Sequence, residues 1–122
     1  NYNKIRNIKM DKPIIDYKDF EKIEILTGTV ISVTENIKAR KPAYVLKIDF
    51  GEKVGIKHSS AQITNYSIND LINKQVIAIC NFEKKNIAGV ESEVLVLGSI
   101  DQDNKVILLH PESAVKNGSP VA

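Results

Sequence analysis

Few of the 122 side chains are of types that do chemistry, and their spacing suits it poorly. His58 and His110 are far apart, each without a nearby cysteine or second histidine, so neither has metal-ligand spacing. Cys80, the single cysteine, sits in an apolar run beside Ile79 and near Phe82 and reads as a small buried hydrophobe rather than a nucleophile. Ser59 with Gln62 fits a capping box, which explains the serine without a nucleophilic role. Asp and Glu are scattered singly, and there is no Gly-rich phosphate loop and no HExxH. The chain therefore reads as non-catalytic, with no cofactor and no metal.

What remains is chemistry of binding. One loop, 35–42 (ENIKARKP), carries Lys38, Arg40, Lys41 and Pro42. A second, 83–91, carries Lys84 and Lys85 beside Ile87, Ala88 and Val90, apolar residues that would be wasted on solvent. A polypeptide holder needs an apolar groove with an adaptable polar rim. Ile87, Ala88, Val90, Lys84 and Lys85 could form one wall and Lys38, Arg40 and Pro42 a second. An RNA binder would instead set Lys38, Arg40, Lys41, Lys84 and Lys85 against phosphates. It would also need aromatic stacking platforms. There is no tryptophan, aromatics make up 6%, and Tyr44, Phe50 and Phe82 fall on faces assigned to the interior. A third possibility is an assembly module recruiting partners through residues 1–18.

Composition narrows the setting. Apolar residues at 43% and charged residues at 26% suit a soluble globular chain of one domain. No run approaches the roughly 20 apolar residues of a membrane span, so no membrane insertion is expected. A lone cysteine and no signal-peptide pattern imply a reducing, cytoplasmic compartment. The net charge is +2, but residues 1–18 hold five basic and two acidic groups, leaving the remainder at −1. Only two arginines occur, Arg6 and Arg40. That distribution weakens the nucleic-acid reading. Met10 is a candidate natural start; residues 1–15 read as an arm and 16–122 as the domain.

The elements that must position these loops are mostly short strands. Asp16 and Asp19 predict a capped helical turn over 17–22 with Phe20 as anchor. Residues 23–33 read as a strand, with Gly28 marking a bulge or bend. Residues 43–50 alternate, with Tyr44, Leu46, Ile48 and Phe50 on one face, and 43–57 reads as a hairpin. A short helix is expected at 60–66 and a helical turn at 69–73 with Leu71 and Ile72 inward. Further strands are expected at 75–82, 92–99 and 105–110, and 111–122 as loop. Short connections make the sheet mainly antiparallel. The fold class is all-β: a five-stranded Greek-key barrel of the OB type with short helices and N- and C-terminal extensions.

The later strands carry apolar residues on both faces: Ile77 and Ile79 opposite Val76 and Ala78, and unbroken runs at 94–97 and 106–109. A small barrel has one inside, so something must cover the second face. A partner copy in a two-fold homodimer is favoured, with residues 111–122 folding back over the sheet as the alternative.

Several stretches agree with one family: 20–30 (FEKIEILTGTV), 56–64 (IKHSSAQIT), 71–76 (LINKQV), Asn81-Phe82 and 87–98 (IAGVESEVLVLG). Over 19–118 the chain resembles the tRNA-binding-domain family, and within it the CsaA-type export chaperone branch. The resemblance implies an OB-fold subunit of a homodimer. It implies an export-related chaperone that binds unfolded or precursor polypeptides, with tRNA as the alternative partner. The family also includes structure-specific tRNA-binding proteins and the C-terminal domain of methionyl-tRNA synthetases. Asn81, Lys84, Lys85, Gly89 and Ser92 match the family's tRNA-binding signature. Glu93-Val94 replaces its small-Gly-Met segment, and an acid there would repel phosphate if it faced the same way.

Overall fold

One long strand organises the chain. The computed structural model describes residues 12–122, so most of the arm lies outside it. β1 (Ile25–Glu35) pairs antiparallel with β4 (Gln75–Ile79) along its first half and with β2 (Tyr44–Asp49) along its second. A strand that changes neighbour must bend. The register slips between Val30 and Ser32, and an extra residue there raises the local twist. The bulge expected at Gly28 thus falls at Ile31. Gly28 is needed for another reason: a Cβ there would lie 2.7 Å from Ile48 and from the Phe50 ring.

β2 shows its expected alternation, with Tyr44, Leu46, Ile48 and Phe50 buried. One helical turn, α2 (Gly51–Val54), links it to β3 (Ile56–Ala61), as the hairpin reading expected. β3 then overrides the helix expected at 60–66. It stays paired with β2 as far as Ala61 opposite Tyr44, and Ser59 Oγ donates to the Val94 carbonyl at 3.1 Å instead of capping. The helical turn comes later, α3 (Ile68–Leu71), with Ser67 Oγ accepting the Asp70 N–H at 3.1 Å. Leu71 is buried, whereas Ile72, expected inward, is exposed.

The run 92–99, expected as one strand, is divided. β5 (Lys85–Ile87) and β6 (Val90–Ser92) form a hairpin where a loop was expected. β7 (Leu95–Val96) pairs with β4, and β8 (Gly98–Ile100) pairs with β9 (Val106–Leu108). The main sheet has the order β3-β2-β1-β4-β7. Its edges meet where the Glu93 N–H donates to the His58 carbonyl at 2.9 Å. The result is a nearly closed, five-stranded antiparallel barrel, an OB-fold, around Val30, Leu46, Ile48, Phe50, Leu71 and Val76.

At the N-terminal side α1 (Tyr17–Glu21) forms as expected, with Asp19 Oδ2 accepting the Asp16 N–H at 3.3 Å. Phe20 stacks on Tyr17 at 5.9 Å and does not join the core. The C-terminal segment returns along the flank of β1 that β2 leaves free. Gly118 N–H donates to the Thr27 carbonyl at 2.7 Å, Thr27 N–H to Ser119 at 2.9 Å and Val121 N–H to Ile25 at 2.9 Å. The tail thus folds back, yet Ile107 and Leu109 on the outer side remain 43% and 44% exposed.

Candidate polypeptide and nucleic-acid interface

The β5–β6 hairpin turns through Ala88 and Gly89, both left-handed at φ 50° and 84°. That pair of positive φ values is what a two-residue hairpin with the right twist requires. Asn86 Oδ1 tightens it by accepting the Gly89 N–H at 3.1 Å. All three residues of β5 are exposed, so β5 is the hairpin's outer strand, while β6 lies against β3.

Beneath it lies a groove of about 530 Å³ lined by Phe82, Glu83, Lys85, Ile87, Ser92, Glu93, Val94 and Leu95. Phe82 is 56% exposed, Leu95 48% and Ile87 38%. Phe82 was expected inside the barrel. The alternation that placed it there ends with β4 at Ile79, and the chain turns where Asn81 clasps the segment ahead of β1. Asn81 Oδ1 accepts the Glu24 N–H at 2.9 Å, and its Nδ2 donates to the Lys22 carbonyl at 2.7 Å. Phe82 and Leu95 are groove residues absent from the expected site; alternation pointed Phe82 inward, and Leu95 lay in the unbroken apolar run 94–97, which has no period to assign it a face.

The candidate residues divide among several surroundings. Lys85 and Ile87 line the groove, whereas Val90 faces a second hollow of about 600 Å³ with Val45, Ile56 and His58. Ala88 and Gly89 form the tip. Lys38 lies across that tip, 3.1 Å from where a Gly89 Cβ would be, so the basic loop and the hairpin adjoin. Arg40, Lys41 and Pro42 are exposed on the same loop. Ser92 is buried and its Oγ accepts the Ser60 N–H at 3.2 Å. The polar atoms of Asn81 and Ser92 are therefore engaged within the fold.

The root of the hairpin is fixed by charge. Glu93 Oε2 accepts the His58 backbone N–H at 2.9 Å and lies 3.5 Å from His58 Nδ1. Its Oε1 is 3.7 Å from Lys84 Nζ and 3.9 Å from Lys57 Nζ. Burial alone would raise the Glu93 carboxyl, but the His58 hydrogen bonds and the two lysines outweigh it and hold the group below its ordinary value. Cys80, just beyond β4, is the opposite case: burial, with Glu24 adding, pushes its thiol up to about 11. A protonated thiol is a poor nucleophile. Among the described residues no three His, Cys, Asp or Glu side chains are grouped to hold a metal, and no helix is long and apolar enough to cross a membrane.

A small five-stranded barrel carrying one added hairpin, with an apolar groove bordered by Glu83, Lys85 and Glu93, is an OB-fold. Residues 25–120 match the family described as "Putative tRNA binding domain", and the chain belongs to that family. Among solved structures it is similar to the CsaA chaperone protein of Picrophilus torridus, at 50% identity and a TM-score of 0.85, covering 89% of this chain and 100% of that one. Chaperone CsaA of Bacillus anthracis is similar at 42% identity and 0.85, covering 90% and 100%. The chain is also 32% identical over 109 residues to the methionine–tRNA ligase of Methanosarcina mazei, covering 89% of this chain. It spans only 15% of that ligase's length.

Proposed function

We propose that the chain is a non-catalytic, export-related chaperone that holds unfolded or precursor polypeptides in the groove beneath the β5–β6 hairpin, acting in the cytoplasm as a homodimer. The observation that carries this is the groove's apolar lining. Phe82, Ile87 and Leu95 are left partly bare beside a hairpin that is exposed along its outer strand. Such a surface can hold many sequences loosely. Lys85 stands at its rim with Glu83 and Glu93, and Lys84 is tied to Glu93 beside it; Val90 lines the second hollow, and Ala88 at the tip adjoins the loop of Lys38, Arg40 and Pro42, the proposed second wall. The likeness to two CsaA chaperones over their full length supports the reading. The exposed Ile107 and Leu109 favour a partner copy, since covering the part of each side chain still bare contributes roughly 1 kcal/mol.

Ile87→Asp tests it. The variant should lose most suppression of aggregation of a denatured model protein while keeping the natural chain's sedimentation mass and melting temperature. Undiminished suppression removes the groove from the reading.

tRNA binding is the second reading, favoured by one specific finding: Phe82 is free to stack. It would stand with exposed Lys38, Arg40, Lys41 and Lys85 around Gly89, the Lys84 of the sequence reading being engaged by Glu93, with Ser92 at the hairpin root and Asn81 holding the segment ahead of β1. Tight binding with a steep salt dependence would support it; weak, salt-insensitive binding would not.

A further inference from the structure

The charges at the hairpin root converge on a single carboxylate. A backbone N–H and an imidazole nitrogen of His58, with the ammonium groups of Lys57 and Lys84, surround Glu93, whose side chain is only 15% exposed. That is the donor set an oxyanion such as phosphate takes. Lys85, one residue along the same hairpin, has no acidic partner within 4.0 Å among the described residues. We infer that Glu93 is an internal plug in an oxyanion site, a specificity-determining residue that keeps phosphate groups, and with them a nucleic-acid backbone, from the root of the hairpin.

A phosphate arriving there must displace a carboxylate that is tethered in place, and a tethered group competes at a far higher effective concentration than a free one. Lys57 and Lys84 are thereby withdrawn from phosphate binding, while Lys85 and the loop carrying Lys38 remain available. The inference stands apart from the polypeptide reading, because opening the site would add phosphate binding whether or not clients bind the groove.

Glu93→Gln removes the charge and keeps an oxygen for the His58 N–H. With tRNA as probe, binding at low salt should tighten roughly tenfold. The salt dependence should steepen by roughly 0.7–0.9 in log–log slope, since the opened site takes one phosphate. Inorganic phosphate should shift the His58 and Lys84 resonances in the variant and not in the natural chain. Glu91→Gln makes the same net change at an exposed site on the same hairpin and should alter tRNA affinity less than about twofold. An equal gain from Glu91→Gln, or no gain from Glu93→Gln, overturns the proposal. Should Glu93→Gln fail to fold, the natural background decides at low salt, where non-specific tRNA binding is measurable. Lys84→Met should leave tRNA binding nearly unchanged and Lys85→Met should weaken it several-fold; equal losses or the reverse order refute the plug.

Discussion

Two segments are added to the same barrel, and they are attached in opposite ways. The C-terminal tail is sewn to the sheet. Three backbone hydrogen bonds run between 118–121 and β1, and the Gln75 side chain grips Val115 through both its carbonyl, at 2.7 Å, and its N–H, at 3.1 Å. Asn117 Oδ1 accepts from Thr29 at 2.7 Å and from Gln75 at 3.2 Å. The β5–β6 hairpin is held at its root, by Ser92 and Glu93, and its outer strand is bare. A segment tied along its length adds stability to the barrel, whereas one tied at one end leaves its free surface for a partner. Substitutions in the tail should therefore act on folding, and substitutions in the hairpin should act on binding.

The largest effect is expected at the seam. Gly118 is left-handed at φ 89°, and a Cβ there would lie 2.5 Å from the Phe50 carbonyl oxygen. Gly118→Ala combines an unfavourable backbone with a clash against backbone, which together cost about 2–4 kcal/mol. A melting temperature lower by roughly 10 °C is expected, with client binding unchanged below the transition. A melt unaltered by the substitution would show that the tail is not part of the cooperative unit, and the contrast between the two segments would go with it.

A smaller effect is expected at the hairpin root, and only in acid. Because Glu93 titrates below its ordinary value near 4.5 in the folded chain, its contribution is complete above that pH and fades as pH falls through the lower, native value. The natural chain should be more stable than Glu93→Gln by about 1 kcal/mol, the scale of one charge-assisted hydrogen bond near the surface. That margin should be constant from pH 7 to 5 and close towards pH 3. Comparing urea midpoints of the two chains at each pH cancels the other carboxylates. A margin that persists at pH 3 would mean that the charge is not what ties the hairpin down.

How far the sequence spoke for itself follows the same division between local and distant causes. Alternation at 44–50 and the Asp16–Asp19 cap are local, and both elements formed where expected. Ser59 and Gln62 mimic a local cap, but Ser59 answers to Val94, 35 residues away. The hairpin was hidden because alanine rarely adopts the left-handed conformation that Ala88 holds. Phe82 was misplaced by carrying a strand pattern three residues beyond the strand's end. The basic loop and hairpin were legible as separate clusters, but the contact of Lys38 with the tip and the engagement of Lys84 by Glu93 come from the fold, where nothing in the spacing announces them.

The smallest effect sharpens the contrast from the hairpin side. Ala88 holds φ 50° at the first turn position, where glycine carries no Cβ penalty. Ala88→Gly relieves roughly 1 kcal/mol of backbone strain and gives back part of it, because glycine loses more freedom on folding. The net gain is expected to be about 0.5 kcal/mol, and it belongs to the hairpin alone. Amide exchange at Gly89 and at the β5–β6 backbone should slow about two-fold, while the melting temperature moves little, since the barrel melts on the strength of its own seams. If the whole domain instead melted higher by several degrees, the hairpin would be folding in step with the barrel. Its bare outer strand would then be a consequence of the fold's edge rather than of a segment left free to receive a partner.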